Sequence, residues 1–285
     1  MGQKLAQGLA LDGHQVRILT RKRPQTTNQI TWQPDGTPGS LPQHLNTIDA
    51  VVNLAGENVA SGRWSPAQKE LLRSSRVLPT RTLARAIAQC DTPPKTFVSA
   101  SGVGYYGPHG DEPVTESTPP GSDYFGRLCV DWEQEARAVP PATRLVVVRS
   151  GVALDRHGGA LKKMLLPFKF GLGATLGSGD QFFPWIHADD WAAMVMWMIK
   201  NDRASGAFNA TAPTPVTNRA FTRTLGRVLK RPAVFHAPAF ALRAALGEMA
   251  DVLLTGQRAV PAHAEQLGFR FTHRTLEPAL QSLQL

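Results

Sequence analysis

The protein has 285 residues, of which 42% are hydrophobic and 19% are charged, and its formal net charge is +9. This composition supports a sizeable core and excludes a mainly disordered chain. The most apolar window, Trp191 to Ile199, has nine residues, whereas a membrane span needs about 20, so we predict no transmembrane helix and no membrane partner. Only Cys90 and Cys129 are present, which excludes a disulfide framework. With no signal peptide visible, we expect a cytoplasmic protein.

Short apolar strands alternate with helices through the first half of the chain, which predicts a parallel sheet covered on both faces. Ser65 is expected to cap one helix, with Pro66 in its first turn and Gln68 completing a capping box. Pro79 is expected to divide that helix from a second one that reaches Cys90. The predicted segments are helices over 3–11, 66–78, 79–90 and 123–138, and strands over 15–20, 50–56, 96–100 and 144–149.

The second half is less regular and carries the larger share of the positive charge, which favours an anionic ligand of some kind. Asp189 or Asp190 is expected to cap a helix that begins at Trp191. Further helices are predicted over 161–168 and 218–229.

The first residues lack an element that a dinucleotide-binding sheet normally has. Such a sheet opens with a strand, a glycine-rich turn and a helix, whereas this chain opens on the helix. Gly2 stands where the last glycine of the turn would be. We expect a mis-assigned start or a fragment rather than a natural truncation, because loss of a central strand exposes the edges of its neighbours. Alternatively, Gly2 is simply part of a flexible terminus.

Several segments resemble the extended short-chain dehydrogenase/reductases, and the end of the chain resembles the YfcH-like epimerase family within them. The first group is VNLAGEN (52–58), FVSASGVGYYG (97–107) and WIHADD (185–190), and the second is VLLTGQRAVP (252–261) and LGFRF (267–271). The resemblance implies an α/β fold: a Rossmann-like, doubly wound parallel sheet with a smaller C-terminal substrate-side subdomain. Residues 1–150 would bind NADP, without the first strand and most of the glycine loop, and residues 151–285 would form the substrate side. The latter includes a subfamily segment from about 236 to 285.

The residues after the second strand of this fold favour NADP. An acid at that strand end binds the ribose hydroxyls of NAD, whereas a base neutralises the 2′-phosphate of NADP. Here the strand ends in Thr20, Arg21, Lys22 and Arg23, with no acid. Taken from the sequence alone, a solvated basic turn is the more common interpretation of such a cluster. The other predicted cofactor residues are Gly2, Asn53, Ala55, Gly56 and Glu57.

The usual proton relay of the superfamily is missing. It consists of a tyrosine with a lysine four residues later, helped by a serine, and Ser101 matches the serine. The tyrosine position falls on Tyr124 or Phe125, followed four residues on by Leu128 or Cys129. The YfcH-like proteins share this departure.

Tyr105 and His109 have the same four-residue spacing as the missing tyrosine and lysine, so they form an alternative pair. We take Ser101 and Tyr105 as the catalytic candidates. Cys129 is expected to be a buried helix residue rather than a nucleophile.

Substrate contacts are predicted where strands end at the carboxyl edge of the sheet and in a loop rich in glycine. The candidates are Ser101, Tyr106, Arg149, Gln181 and Trp185. The eight histidines are scattered, so we predict no metal site. Arg219, Arg223 and Arg227 line one helix face, which we interpret as a solvated stripe rather than a nucleic-acid surface.

Two functions therefore remain open. One is an NADP-dependent epimerase or oxidoreductase acting on a small polar substrate, with sugar nucleotides suggested by the family. The other is an inactive NADP-binding sensor.

Overall fold

The computed structural model describes residues 1–285. Its first half contains α1 (Gly2–Leu11), β1 (Ile18–Thr20), β2 (Gln29–Thr31), α2 (Leu41–Leu45), β3 (Ala50–Asn53), α3 (Pro66–Ala88), β4 (Thr96–Gly102), β5 (Pro113–Val114), α4 (Tyr124–Ala136) and β6 (Arg144–Ser150). Its second half contains β7 (Val152–Leu154), α5 (Gly159–Lys169), β8 (Ala174–Leu176), β9 (Phe182–Phe183), β10 (Trp185–His187), α6 (Ala188–Lys200), β11 (Gly206–Ala210), β12 (Val216–Thr217), α7 (Asn218–Leu229), β13 (Phe235–Ala237), α8 (Ala239–Leu246), α9 (Asp251–Leu254), β14 (Arg258–Ala259), α10 (Ala262–Gln266) and α11 (Leu276–Ser282).

The central sheet has four parallel strands in the order β11-β6-β4-β3. Val52 lies opposite Val98, and Val98 lies opposite Val146 on the next strand. β1 and β2 form a separate parallel pair. The predicted Rossmann-like α/β fold is confirmed.

Helices cover both faces of this sheet because its strands alternate their apolar side chains between two cores. Val98 packs in a cluster with α6, where Trp191 is fully buried. Its neighbour Phe97 packs on the opposite face with Leu83 and Ile87 of α3. A parallel sheet buried in this way is expected to have nearly continuous apolar strands, as β3 and β6 do.

Helix α3 is continuous, so the predicted break at Pro79 is wrong. Proline inside a helix removes a hydrogen bond and costs about 3 kcal/mol, but tertiary contacts hold this turn in place. The buried hydroxyl of Thr80 donates to Arg76 O and accepts from Asn53 Nδ2 and Trp132 Nε1, both at 2.8 Å.

At the N-terminus of α3, one of the two predicted capping hydrogen bonds forms. Ser65 Oγ accepts from Gln68 N at 3.2 Å. The Gln68 side chain, however, donates to Ser61 Oγ instead of closing the capping box.

Helix α6 begins at Ala188, three residues before the predicted start, and His187 rather than an aspartate caps it. His187 Nδ1 accepts from Asp189 N at 3.1 Å. Both oxygens of Asp190 accept backbone hydrogen bonds instead, from Thr272 N at 2.9 Å and His273 N at 2.8 Å. Asp190 therefore fastens the C-terminal segment to the first turn of α6.

The second half contains three small strand pairs: β7 with β10 and β8 with β13 in parallel, and β9 with β12 antiparallel. A fourth pair joins β14 in parallel to β5 of the first half. The core of the second half includes Leu161, Trp185, Phe221 and Leu280. The predicted helix over 218–229 is confirmed. None of the helices is both long and apolar enough to cross a bilayer.

Candidate functional site

The carboxyl ends of β3, β4 and β6 meet at one edge of the sheet because the strands are parallel and in register. Asn53 pairs with Ser99, and Ser101 pairs with Arg149 one step further along. In open α/β sheets this edge is where ligands bind. The predicted cofactor and catalytic residues that follow β3 and β4 therefore lie along one cleft edge.

The turn after β1 carries three cations with no protein partner. Arg21, Lys22 and Arg23 are exposed and take part in no ion pair or side-chain hydrogen bond, and the Lys22 amide donates to Thr20 Oγ1 at 3.1 Å. Such a group of free cations is available for an external anion.

Helix α1 begins beside the end of β3. A Cβ added to Gly2 would lie 3.6 Å from Leu54 Cδ1, and no side chain caps the first turn. Its backbone N–H groups therefore remain open to an anion.

The exit from β3 is shaped by Asn53, which is 2% exposed. Its Oδ1 accepts from Ala55 N at 3.1 Å, while Nδ2 donates to Thr80. The buried side chain of Asn53 therefore fixes the turn in which the chain leaves β3.

Arg76, which sequence reasoning missed, supports the same turn from α3. Its Nη2 donates to Glu57 O at 2.8 Å, and a Cβ added to Gly56 would come within 3.3 Å of its guanidinium carbon. Burial lowers the pKa of Arg76, which lies over the Trp132 ring. The absence of a side chain at Gly56 thus leaves room for Arg76 to pack against this turn.

A buried ion pair lies beneath the ends of β4 and β6. Arg149 donates through Nε to Glu133 Oε1 and through Nη2 to Oε2, each at 2.9 Å. Ser101 Oγ donates to the same Oε1 at 2.7 Å. Ser101 is 5% exposed and the two charged residues are 3% exposed. The hydroxyl of Ser101 is thus committed to Glu133 in this conformation.

Tyr106 extends this network. Its hydroxyl accepts from Arg149 Nη1 at 3.0 Å and donates to Asn209 Oδ1 at 2.6 Å. Burial raises the pKa of Tyr106 to about 12. Glu133 was not predicted, and Arg149 and Tyr106 lie below the cleft floor rather than open to a substrate. The one signal for Glu133 in the sequence was Arg149 itself, because an arginine at the end of an apolar strand needs a buried partner.

Tyr105 differs from the other two tyrosines. Tyr106 and Tyr124 both use their hydroxyls, the latter as a donor to Lys69 O at 2.7 Å, whereas the Tyr105 hydroxyl has no protein partner. Tyr105 is half-buried, and the guanidinium of Arg149 lies 3.4 Å from its ring centre. No hydrogen bond joins it to His109, which approaches Gly107 O instead. Tyr105 is therefore the free phenol of this edge.

Of the candidate relay positions, Phe125 and Cys129 hold groups that cannot move a proton near neutral pH. Phe125 packs edge-on against Trp64, with ring centres 4.8 Å apart, and touches Gly104. Cys129 is 4% exposed, and burial raises its pKa to about 12. A neutral thiol cannot replace an ammonium group, and Cys129 is a buried helix residue, as predicted.

The predicted substrate residues of the second half are held inside the fold. Gln181 Nε2 donates to Leu176 O at 3.0 Å and Leu253 O at 2.8 Å, while its Oε1 is buried without a partner. Trp185 is 1% exposed and its Nε1 donates to Thr214 O. In this conformation Gln181 joins two loops, and Trp185 belongs to the core.

Comparison with known proteins agrees with this architecture. Residues 1–211 match the NAD dependent epimerase/dehydratase family, and residues 237–283 match a domain of unknown function, DUF1731. The chain is 42% identical over 283 residues to "Epimerase family protein Mb2239" of Mycobacterium bovis, covering 98% of this chain and 93% of that protein.

Two solved structures are also similar. One is human epimerase family protein SDR39U1 (isoform 2) with NADPH, at a TM-score of 0.92 and 38% identity, covering 99% of this chain and 95% of that one. The other is a nucleoside-diphosphate sugar epimerase from Corynebacterium glutamicum, at a TM-score of 0.80 and 33% identity, covering 99% of this chain and 55% of that one. The chain therefore belongs to the NAD dependent epimerase/dehydratase family.

Proposed function

We propose that this protein binds NADPH at the carboxyl edge of its sheet. The observation that carries the proposal is the turn of Arg21, Lys22 and Arg23, which has three unpaired cations and no acid. An NADP 2′-phosphate fits such a turn, whereas NAD recognition needs a carboxylate there. The similar human protein was crystallised with NADPH, which supports the same ligand here.

The rest of the edge fits a dinucleotide. The uncapped first turn of α1, including Gly2, would hold the pyrophosphate. Ala55 and Gly56 offer backbone without bulky side chains, and Asn53 and Arg76 hold that backbone in place. Glu57 lies at the rim of the same turn.

We infer that the bound cofactor serves an oxidoreductase or epimerase reaction on a small polar substrate. NADPH supplies a hydride donor when bound. On the protein side, the Tyr105 hydroxyl is the free group that can hold or release a proton at the substrate oxygen. The guanidinium of Arg149 lies against the ring of Tyr105 and holds it at this edge.

Ser101 is proposed to act beside Tyr105, either by turning its hydroxyl to the substrate or by fixing Glu133 and Arg149. Sugar nucleotides are the proposed substrate class, supported by the description of the similar Corynebacterium protein and by the YfcH-like resemblance. Tyr106, Arg149, Gln181 and Trp185 would line the pocket only after local rearrangement.

A second candidate is an NADPH-binding sensor without turnover. Phe125 and Cys129 favour it, because neither supports the usual proton relay. We further propose that the protein is cytoplasmic and that its partner is a soluble small molecule rather than nucleic acid or a membrane. In this proposal, residues 1–150 bind the cofactor and residues 151–285 form the substrate side.

The test begins with fluorescence titration of the full chain with NADPH and with NADH. We expect NADPH to bind at least about tenfold more tightly, since the 2′-phosphate adds charge-assisted hydrogen bonds. Equal affinity, or no binding of either, would contradict the proposal. Sugar nucleotides and small aldehydes are then supplied with NADPH: oxidation of the cofactor supports the enzyme, and binding without turnover supports the sensor.

A further inference from the structure

An open cavity of about 390 Å³ lies in the second half of the molecule, between β8, β13 and α7. No acidic side chain lines it, and none of the proposed cofactor or catalytic residues does. The lining residues that matter here are Thr175, Arg219, Arg223, Val234, Phe235 and His236.

Arg223 is the unpaired member of the arginine stripe on α7. Arg219 pairs with Asp180 at 3.1 Å, and Arg227 pairs with Glu277 at 2.6 Å. Arg223 is exposed and makes no ion pair or side-chain hydrogen bond within the protein. The three arginines of the stripe therefore differ. The central one, Arg223, faces the cavity and has no counter-ion from the protein.

Two other polar groups of the cavity are held in fixed positions. Arg219 also donates through Nη2 to Ser178 O. His236 Nε2 lies 2.6 Å from Gly177 O, a carbonyl that can only accept, so this nitrogen carries the proton and Nδ1 is free of it or available as a second donor. The Thr175 hydroxyl has no protein partner. Groups fixed in this way lose little entropy when a ligand binds.

Apolar side chains lie next to these cations. Val234 is 80% exposed and Phe235 is 51% exposed, and both line the cavity. These two exposed side chains are therefore available to contact an apolar group of a ligand.

We propose that this cavity is a second binding site, separate from the dinucleotide edge, for a phosphomonoester that carries a small apolar or aromatic group. The guanidinium groups of Arg223 and Arg219 would bind the phosphate oxygens in their planar fork geometry. Phe235 and Val234 would contact the apolar group. Because Arg219 and His236 also hold residues 177–180, a ligand here would fix the loop that leads into Gln181.

The proposal is tested by calorimetric titration of the full chain with phenyl phosphate, with and without saturating NADPH. We expect one saturable site whose affinity NADPH does not change. Arg223→Ala should weaken binding about tenfold or more. Arg231→Ala is the matched control, since it removes an exposed cation that lies outside the cavity, and it should change the affinity less than about twofold. Phe235→Ala should weaken binding of phenyl phosphate but not of inorganic phosphate.

Three results would overturn the site: no saturation up to about 10 mM phenyl phosphate, displacement of phenyl phosphate by NADPH, or an equal loss in the Arg231→Ala control. Sedimentation with phosphatidate vesicles then distinguishes a lipid headgroup from a soluble phosphate. Vesicle binding that Arg223→Ala removes supports the site with a lipid as the source of the phosphate. Vesicle binding that Arg223→Ala leaves intact is diffuse charge attraction and counts against it.

Discussion

Each carboxylate oxygen of Glu133 accepts a hydrogen bond from Arg149, at 2.9 Å in both cases, where neither side chain has access to solvent. The hydrogen bond from Ser101 and the contact of Arg149 with the Tyr105 ring both depend on this pair. The position of the candidate catalytic groups is therefore set by an ion pair one layer beneath them.

Removal of one partner of this pair should destabilise the protein strongly. Glu133→Ala leaves the Arg149 cation buried without a counter-ion, which typically costs about 3–5 kcal/mol in the free energy of unfolding. Asp131→Ala is the control, because that aspartate is exposed on the same helix and pairs with Arg73 at the surface, where the cost is below about 1 kcal/mol. Urea unfolding measures both, and equal effects would show that the buried pair is dispensable.

Tyr105 and Tyr106 are adjacent, but loss of the hydroxyl should lower activity at Tyr105 and stability at Tyr106. If the protein is an enzyme, Tyr105→Phe should lower kcat by about 100-fold or more without changing stability or NADPH affinity, because its hydroxyl has no protein partner. Tyr106→Phe leaves buried groups of Arg149 and Asn209 unsatisfied and should cost about 1–3 kcal/mol of stability. A Tyr105→Phe protein with full turnover would remove Tyr105 from the reaction.

The cations after β1 should discriminate between the two dinucleotides. Replacement of Arg21, Lys22 and Arg23 by alanine should weaken NADPH binding about 10- to 100-fold and leave NADH binding within about twofold, because only NADPH has the extra phosphate. Arg137→Ala removes one exposed cation elsewhere and should change neither affinity. Fluorescence titration measures both. A parallel loss for NADPH and NADH would assign these cations to general charge rather than to the 2′-phosphate.

His187 should make the protein less stable as the pH falls. Burial lowers the pKa of His187, and the neighbouring His273 and Lys4 lower it further, against the opposing charges of Asp189 and Asp190. The unfolded chain therefore takes up a proton near pH 6.5 that the folded protein resists, so the stability contributed by His187 is present above pH 6.5 and is lost as the pH falls below it. His187→Asn keeps a capping acceptor for Asp189 N but cannot titrate. The loss of unfolding free energy between pH 7 and pH 5 should be smaller in this variant, and an unchanged loss would rule the residue out.

The order of strands and helices in the first half could be predicted because apolar strands and helix caps are local signals. Ser65 caps α3 as predicted, and α4 lies within the helix predicted over 123–138, with Asp123 as its cap. Pro79 misled the prediction, because the contacts of Thr80 that keep the helix continuous come from residues 27 and 52 positions away.

The candidate site was harder to predict for the same reason. A residue at the carboxyl end of a strand can face either the cleft or the core, and the sequence does not distinguish the two. Arg149 is tied to a glutamate on α4, and Trp185 packs in the second core. The exposed turn after β1 needed no such tertiary information, so its free cations could be read directly.

The hydrogen bonds from Thr272 and His273 to Asp190 have a consequence for how the chain is made. Further along the same segment, the His263 ring stacks on Phe208 of β11 at 4.1 Å, and Phe269 contacts Trp197 of α6. One face of the sheet is therefore completed by residues that are synthesised after the strands and the helix they cover. Until those residues are made, the apolar side chains of that face lack part of their cover, and exposed apolar surface of this kind promotes aggregation during folding.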